Sequence, residues 1–176
     1  MPVYISMLRG VNVGGKTLPM KELAVMYELL GFNRVRTYIQ SGNVIFEDKS
    51  ADLRGLERDI SQRIKEKFGL NVSVMVRTPD YFRQVIETNP LTTVNTKRLY
   101  VTFLDRKVDD TVPEAIVVGK APGDEIKIAG DRIYFYRPES YSKSKLDNNF
   151  LERQLKVIAT TRNWNSVNKL LAMADE

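Results

Sequence analysis

The residues best suited to chemistry lie in a glycine-rich segment near the start of the chain, Arg9-Gly10-Val11-Asn12-Val13-Gly14-Gly15-Lys16-Thr17. From Gly10 onward it satisfies the pattern G-x-x-x-x-G-K-[ST], in which backbone amides and a lysine hold nucleotide phosphates. A second segment, Gln40-Ser41-Gly42-Asn43, is typical of a turn between two strands. Both segments are rich in hydrogen-bond donors, and the first adds two cations, Arg9 and Lys16. Such a combination favours the binding of negative charge.

The composition excludes several kinds of catalysis. The 176 residues include no cysteine and no histidine. Thiolate nucleophiles, disulfides, zinc fingers and Ser-His-Asp triads are therefore excluded, together with the commonest acid-base group near neutral pH. We expect no metal site, and the sequence names no cofactor. The net charge of +5 is compatible with an ordinary mixed surface or with an anionic partner.

The length fits one domain or two small ones sharing a core. The first residues lack the basic and apolar regions of a signal peptide. No apolar run approaches the roughly 18 residues of a membrane span. We therefore predict a cytoplasmic protein without a membrane partner.

Strands and helices alternate regularly in the first half of the chain. They are predicted at residues 3–8, 19–30, 35–40, 44–47, 50–68 and 72–77. This order, β-α-β-β-α-β, is the ferredoxin-like order.

The second half repeats most of that order. Its elements are predicted at residues 79–88, 99–104, 112–118, 125–129, 132–136, 146–157 and 165–174. The last is a helix where the first half has a strand. We predict an α+β fold with a ferredoxin-like unit at residues 1–78 and a second, degenerate ferredoxin-like unit at 79–176. The two would be a duplication packed as one protein, with mostly antiparallel sheets and helices on one face.

Two features oppose a P-loop at the glycine-rich segment. Leu18 precedes Pro19, which disfavours a helical Leu18 and leaves Lys16 and Thr17 in the loop, whereas a P-loop needs them in the first helical turn. The next two strands are joined by a short turn and must be antiparallel, whereas P-loop proteins need parallel crossovers. A P-loop-like nucleotide binder is therefore the least favoured alternative.

The same element order also occurs in RNA-recognition motifs. Their third strand should present two aromatic side chains for base stacking. Residues 43–46 supply only Phe46. An ordinary core strand is the favoured interpretation.

The ferredoxin-like order places the end of the first strand and the turn between strands two and three at the same edge of the sheet. The segment 9–16 should then lie beside the turn 40–43, forming an anion pocket of amides and cations. An equally weighted alternative is that the glycines only permit positive φ in tight turns, with Asn12 and Asn43 capping them.

Two polar clusters occur late in the chain. Residues 141–146, Tyr-Ser-Lys-Ser-Lys-Leu, precede a helix and either cap it or hold an anion. Residues 160–165 contain the only tryptophan, Trp164, which we expect in the core. Arg162 and Asn163 would then be exposed.

Segments 8–16, 37–43, 144–146 and 161–165 resemble the signature segments of a bacterial family, domain of unknown function 1697 (DUF1697). The resemblance spans nearly the whole chain and implies an α+β duplication with no assigned reaction. The signature residues that it implies are Arg9, Gly10, Asn12, Gly14, Gly15, Lys16, Tyr38, Gln40, Ser41, Gly42, Asn43, Lys145, Arg162, Asn163 and Trp164. Similar proteins often carry another residue at Thr17, which further weakens the P-loop alternative.

All of these signature residues except Trp164 form our predicted anion-binding site. The favoured function is a module that binds a phosphorylated small molecule or a nucleic-acid backbone. An alternative is an enzyme acting on a phosphorylated metabolite, with Lys16 or Tyr38 as the base. A third is an interaction protein that dimerises through a sheet edge.

Overall fold

The computed structural model describes residues 1–92, 94–138 and 145–176. The chain divides into two compact units, one of residues 1–84 with 169–176 and one of residues 85–168. The sequence placed the boundary after residue 78 and assigned the end of the chain to the second unit. Each unit holds a four-stranded antiparallel sheet, which confirms a mixed α+β fold.

The first unit has the predicted order of elements. They are β1 Val3–Leu8, α1 Met20–Leu29, β2 Asn33–Tyr38, β3 Asn43–Glu47, α2 Leu53–Phe68 and β4 Val74–Arg77. Helix α3, Pro79–Glu87, begins in this unit. The strand order is β2-β3-β1-β4, so β1 lies between two antiparallel neighbours. Helix α2 begins later than expected because Asp52, rather than Ser50, accepts the capping hydrogen bond, from the amide of Gly55 at 3.0 Å.

Both faces of strand β1 are buried. Tyr4 and Leu8 of β1 join one core cluster that also contains Phe46. Ile5 and Met7, which point to the opposite face by strand alternation, are equally inaccessible to solvent. The RNA-recognition interpretation is not supported, because Phe46, the one aromatic residue of the third strand, is a core residue and cannot stack on bases.

The outer edge of β4 is covered by a buried ion pair. Glu57 of α2 accepts hydrogen bonds from the Val76 amide and from the Arg77 guanidinium, each at 3.0 Å. Both charged residues are buried. The carboxylate thus satisfies a backbone donor that an edge strand would otherwise leave open.

The second unit contains one strand that the sequence did not predict. Its elements are β5 Leu99–Leu104, α4 Glu114–Gly119, β6 Glu125–Ala129, β7 Arg132–Tyr136, α5 Asn148–Leu155 and β8 Ala159–Asn163, preceded by a short 3-10 helix at Thr96–Arg98. The final helix α6, Trp164–Ala174, ends in the first unit. The strand order β6-β7-β5-β8 matches that of the first sheet position by position.

Strand β8 replaces the loop expected between two helices. Helix α5 ends because Lys156 adopts the left-handed conformation, with φ 55°. The following Thr160 and Thr161 are β-branched and pair with β5. Because both residues are polar, the hydrophobic pattern did not predict a strand here, although β-branched residues favour strands. None of the described helices has the length and apolar character needed to span a membrane.

Candidate functional site

The glycine-rich segment forms a loop between β1 and α1. Pro19 has an extended conformation, with ψ 126°, and α1 begins at Met20. Lys16 and Thr17 therefore lie outside the helix, as the sequence predicted. Because both neighbours of β1 are antiparallel, the arrangement lacks the parallel crossover of a P-loop, and that alternative is wrong.

The loop contacts the turn between β2 and β3, as expected. The amide of Leu8 donates to the carbonyl of Gly42 at 2.8 Å. Gly42 has φ 84°, and a β-carbon there would lie 2.6 Å from Val11 Cγ2 and 2.8 Å from Leu8 Cβ. Only glycine fits this close approach.

Asn12 positions the loop. Its Oδ1 accepts from the Leu18 amide at 2.8 Å, while Nδ2 donates to the carbonyls of Leu18 at 3.1 Å and Gln40 at 2.6 Å. Both amide hydrogens are thus engaged with the backbone. With φ 57°, Asn12 behaves as a turn former, as the alternative interpretation expected, rather than as a ligand donor.

Asn43 has a similar role in the adjacent turn. It is buried, and its Nδ2 donates to the Tyr38 carbonyl at 3.1 Å and to Ser41 Oγ at 2.9 Å. Tyr38 and Ser41 are half-buried, and Gln40 is exposed. The turn therefore presents Gln40 to solvent and keeps Asn43 inside.

The tip of the loop is a tight, exposed turn. The Lys16 amide donates to the Val13 carbonyl at 3.2 Å, and the Asn12 amide donates to the Lys16 carbonyl at 2.6 Å. Gly14 and Gly15 have φ 57° and 91°, and a β-carbon added to either would have nothing within 4 Å. Within the described part of the chain, their amides have no hydrogen-bond acceptor. They are available to an anion.

Two cations accompany these amides. Lys16 is exposed, and its Nζ donates to the Asn71 carbonyl at 3.3 Å. Arg9 is half-buried directly after β1, and its amide donates to Ser73 O at 2.9 Å. Gly10, with φ 69°, follows it. Since residues 1–21 contain no acid, the segment has no carboxylate of its own to oppose an anion.

The remaining predicted site residues belong to the second unit. Arg162 is only 6% exposed, and its Nη1 donates to Thr160 Oγ1 and the Thr161 carbonyl, both at 2.9 Å. Burial lowers the pKa of Arg162 to about 10. The expectation that Arg162 is exposed was wrong, because its place in β8 turns the side chain inward.

Asn163 and Trp164 form the junction of β8 and α6. Asn163 is exposed, and its Oδ1 accepts from the Ser166 amide at 2.8 Å, which makes it a helix cap. Trp164 is half-buried, so it is neither a full core residue nor an open stacking surface.

Lys145 is exposed beside a groove of the second unit. The groove has a volume of about 690 Å³, and its other lining residues include Val118, Lys120 and Phe150. Residues 141–144 of the predicted polar cluster lie outside the described residues. Among those that are described, no group of three carboxylates is arranged to hold a metal ion.

Val13 and Ile39 are exposed apolar residues that the sequence did not single out. Residue 39 was assigned to a strand predicted at 35–40, but β2 ends at Tyr38 and Ile39 has φ 48°. In the sequence, the only indication that Ile39 is exposed was its position directly before the turn segment 40–43.

Together these features define an α+β protein with two antiparallel sheets. A donor-rich loop follows β1, a central strand of the first sheet. The model of a family described as "Protein of unknown function (DUF1697)" matches residues 1–134. The chain therefore belongs to that family.

One solved structure shares the fold over the whole chain. It is described as "The structure of conserved bacterial protein SP0830 from Streptococcus pneumoniae" and is 21% identical, with a TM-score of 0.74. The similarity covers 100% of this chain and 99% of that one. No curated protein matches this chain.

Proposed function

We propose that the chain binds a phosphate-containing ligand at the loop formed by residues 9–16. The observation that carries this proposal is the exposed turn at Gly14, Gly15 and Lys16, in which two open backbone amides adjoin a cation. Successive amides of this kind bind anions in many proteins. Arg9 supplies a second positive charge at the base of the loop.

Asn12 and Gly42 support the binding loop by fixing its position. Asn12 joins the loop to the carbonyls of Leu18 and Gln40, and the close approach of Gly42 to Val11 joins it to the hairpin turn. A loop held in one conformation loses less entropy when a ligand binds. Tyr38, Gln40 and Ser41 line the neighbouring turn and complete the proposed site.

A phosphorylated small molecule fits these features better than a nucleic-acid backbone does. The loop carries two cationic side chains, and Phe46, the one aromatic residue of β3, is buried. Nucleic-acid binding draws its affinity from many phosphate contacts and commonly adds stacked bases. We therefore expect short oligonucleotides to bind no more tightly than an isolated phosphate monoester.

Isothermal titration with phosphate, phosphate monoesters and a short single-stranded oligonucleotide tests the proposal. Lys16→Ala should weaken phosphate binding several-fold, whereas Lys21→Ala, a change to an exposed lysine of α1, should not. Failure of the wild-type protein to bind any phosphate compound would refute it. A steep salt dependence, near −0.7 to −0.9 per contact on a log–log plot, with preference for the oligonucleotide would favour nucleic acid.

The same ligands allow an enzyme to be distinguished from a binding module. Turnover of a phosphate monoester that is lost in Lys16→Ala or Tyr38→Phe would favour the enzymatic alternative. Binding without turnover supports a module.

We also infer that the two units are copies of one ferredoxin-like unit. Support comes from the identical placement of strands in the orders β2-β3-β1-β4 and β6-β7-β5-β8 and from the order β-α-β-β-α-β in both. A crystal structure in which β1–β4 superpose poorly on β5–β8, taken in sequence order, would contradict this inference.

A further inference from the structure

We infer that the phosphate of the ligand is attached to an apolar group, which contacts Val13 and Ile39. This inference rests on the proposed function and specifies the class of ligand as an aryl or alkyl phosphate monoester. Two exposed aliphatic residues carry it, one in the tight turn that contains Lys16 and one adjoining the hairpin turn that Asn12 contacts.

Val13 and Ile39 are both large apolar residues with exposed side chains. Val13 is 63% exposed and Ile39 is 48% exposed. Single exposed apolar residues are common on protein surfaces. These two, however, adjoin Asn12 and Gln40, which are joined by a hydrogen bond, and we therefore assign them together to an apolar group of the ligand.

Hydrogen bonds place the two residues beside the proposed phosphate position. The Lys16 amide donates to the Val13 carbonyl, so the valine and the cation flank one tight turn. Asn12, which precedes Val13, donates to the carbonyl of Gln40, which follows Ile39. A ligand phosphate at Gly14 and Gly15 would therefore bring its ester substituent close to this pair.

The backbone of Ile39 provides an independent reason to assign it a role. Among the described residues, Asn12, Arg34, Ile39 and Lys156 are the non-glycine residues with positive φ. Asn12 belongs to a residue type that tolerates this conformation, Lys156 ends a helix, and Arg34 lies where the β2–β3 register shifts. Ile39 is β-branched, for which a φ of 48° is strained.

Glycine or asparagine would relieve this strain at a turn position. An exposed isoleucine there gains little from core packing, so folding alone does not account for it. Strained residues often occur where a side chain is needed for function. We therefore assign the Ile39 side chain to ligand contact.

Titrations with phenyl phosphate, glycerol phosphate and inorganic phosphate test this inference. The wild-type protein should prefer phenyl phosphate. Ile39→Asn should weaken phenyl phosphate binding about fivefold, because part of the apolar contact is lost, while leaving inorganic phosphate binding unchanged. The same substitution should raise the thermal midpoint, because asparagine tolerates positive φ.

Two further variants complete the design. Val13→Ser should also weaken phenyl phosphate binding selectively. Val118→Ser is the matched control, since Val118 is 76% exposed in the second unit and should not affect binding.

The outcomes separate this inference from the proposed function. Equal affinity of the wild-type protein for all three phosphates, or unchanged phenyl phosphate binding in Ile39→Asn and Val13→Ser, would overturn the inference. If Lys16→Ala still weakened all three phosphates, the proposed function would stand. Absence of all phosphate binding would overturn both.

Discussion

Asn12 Nδ2 donates a 2.6 Å hydrogen bond to the carbonyl oxygen of Gln40 and so joins the glycine-rich loop to the neighbouring hairpin turn. The same side chain pairs with both backbone groups of Leu18 at the far end of the loop. One amide thus closes the loop on itself and joins it to the hairpin turn. The geometry of the proposed phosphate site therefore depends on a residue that need not touch the ligand.

Asn12→Ala should destabilise the protein and weaken the proposed phosphate binding. Loss of three hydrogen bonds is expected to lower the free energy of unfolding by about 1.5–4.5 kcal/mol. Asn12→Gly is the matched control, because glycine tolerates positive φ but makes none of these bonds. Urea denaturation should show lower stability, and titration lower phosphate affinity, in both variants. Both decreases should be larger in Asn12→Ala. Wild-type affinity in Asn12→Gly would show that the bonds do not organise the site.

Gly42→Ala should be more harmful than Gly14→Ala. Both glycines have positive φ, which costs alanine about 1–2 kcal/mol. A β-carbon at Gly42 would additionally clash with Val11 and Leu8, adding about 1–3 kcal/mol, whereas Gly14 has open space around it. Thermal unfolding of the two variants measures the difference. Equal midpoints would mean that the hairpin turn shifts away from the loop at little cost.

Tyr27→Phe should change how the free energy of unfolding depends on pH in the alkaline range. Burial raises the pKa of Tyr27 above its ordinary value of 10.0, and the hydrogen bond to Ser6 Oγ at 2.8 Å only partly offsets this effect. The unfolded state then loses this proton more readily than the folded state. The resulting contribution to stability is complete below about pH 10 and is lost as the pH rises further.

The free energy of unfolding of wild type should therefore fall more steeply above pH 10 than that of Tyr27→Phe. Near neutral pH the variant should lose about 0.5–1.5 kcal/mol with the Ser6 hydrogen bond. Ultraviolet absorbance of tyrosinate, followed beside circular dichroism, should show Tyr27 ionising only as the protein unfolds. Parallel stability curves for the two proteins would contradict this assignment.

Glu57→Ala should destabilise the protein by about 3–5 kcal/mol, because it removes the carboxylate that accompanies the buried Arg77 guanidinium. The double variant Glu57→Leu/Arg77→Met should recover much of that loss, since no buried charge remains. Chemical denaturation measures both. A double variant as unstable as Glu57→Ala would assign the loss to the uncovered Val76 amide rather than to the charge.

The sequence predicted the first unit well because local signals there agree with tertiary structure. Proline before α1, the glycine after α2 and the short turn before Asn43 all mark boundaries that the structure keeps. Strand β8 was missed because Thr160 and Thr161 are polar, and strand pairing with β5 outweighed that pattern. The assignment of residues 169–176 to the first unit depends on long-range contacts, to which local periodicity is insensitive.

The candidate site was predictable in position more than in the role of each residue. The predicted order and directions of the strands were enough to place the loop beside the hairpin turn. Sequence could not separate Asn12 and Asn43, whose amides hold the two turns together, from Lys16, whose side chain is exposed. Nor could it reveal that Arg162 is buried, because the inward face of β8 depends on the register with β5.

The return of residues 169–176 to the first unit has a consequence for biosynthesis. Asp175 forms a 3.0 Å ion pair with Arg83, and the Glu176 carboxylate lies 2.8 Å from Arg36. A ribosome releases these residues only after the whole second unit has been translated. The first unit therefore acquires its full set of contacts last. During synthesis, residues 1–84 lack their partners from 169–176 until residues 85–168 have been made.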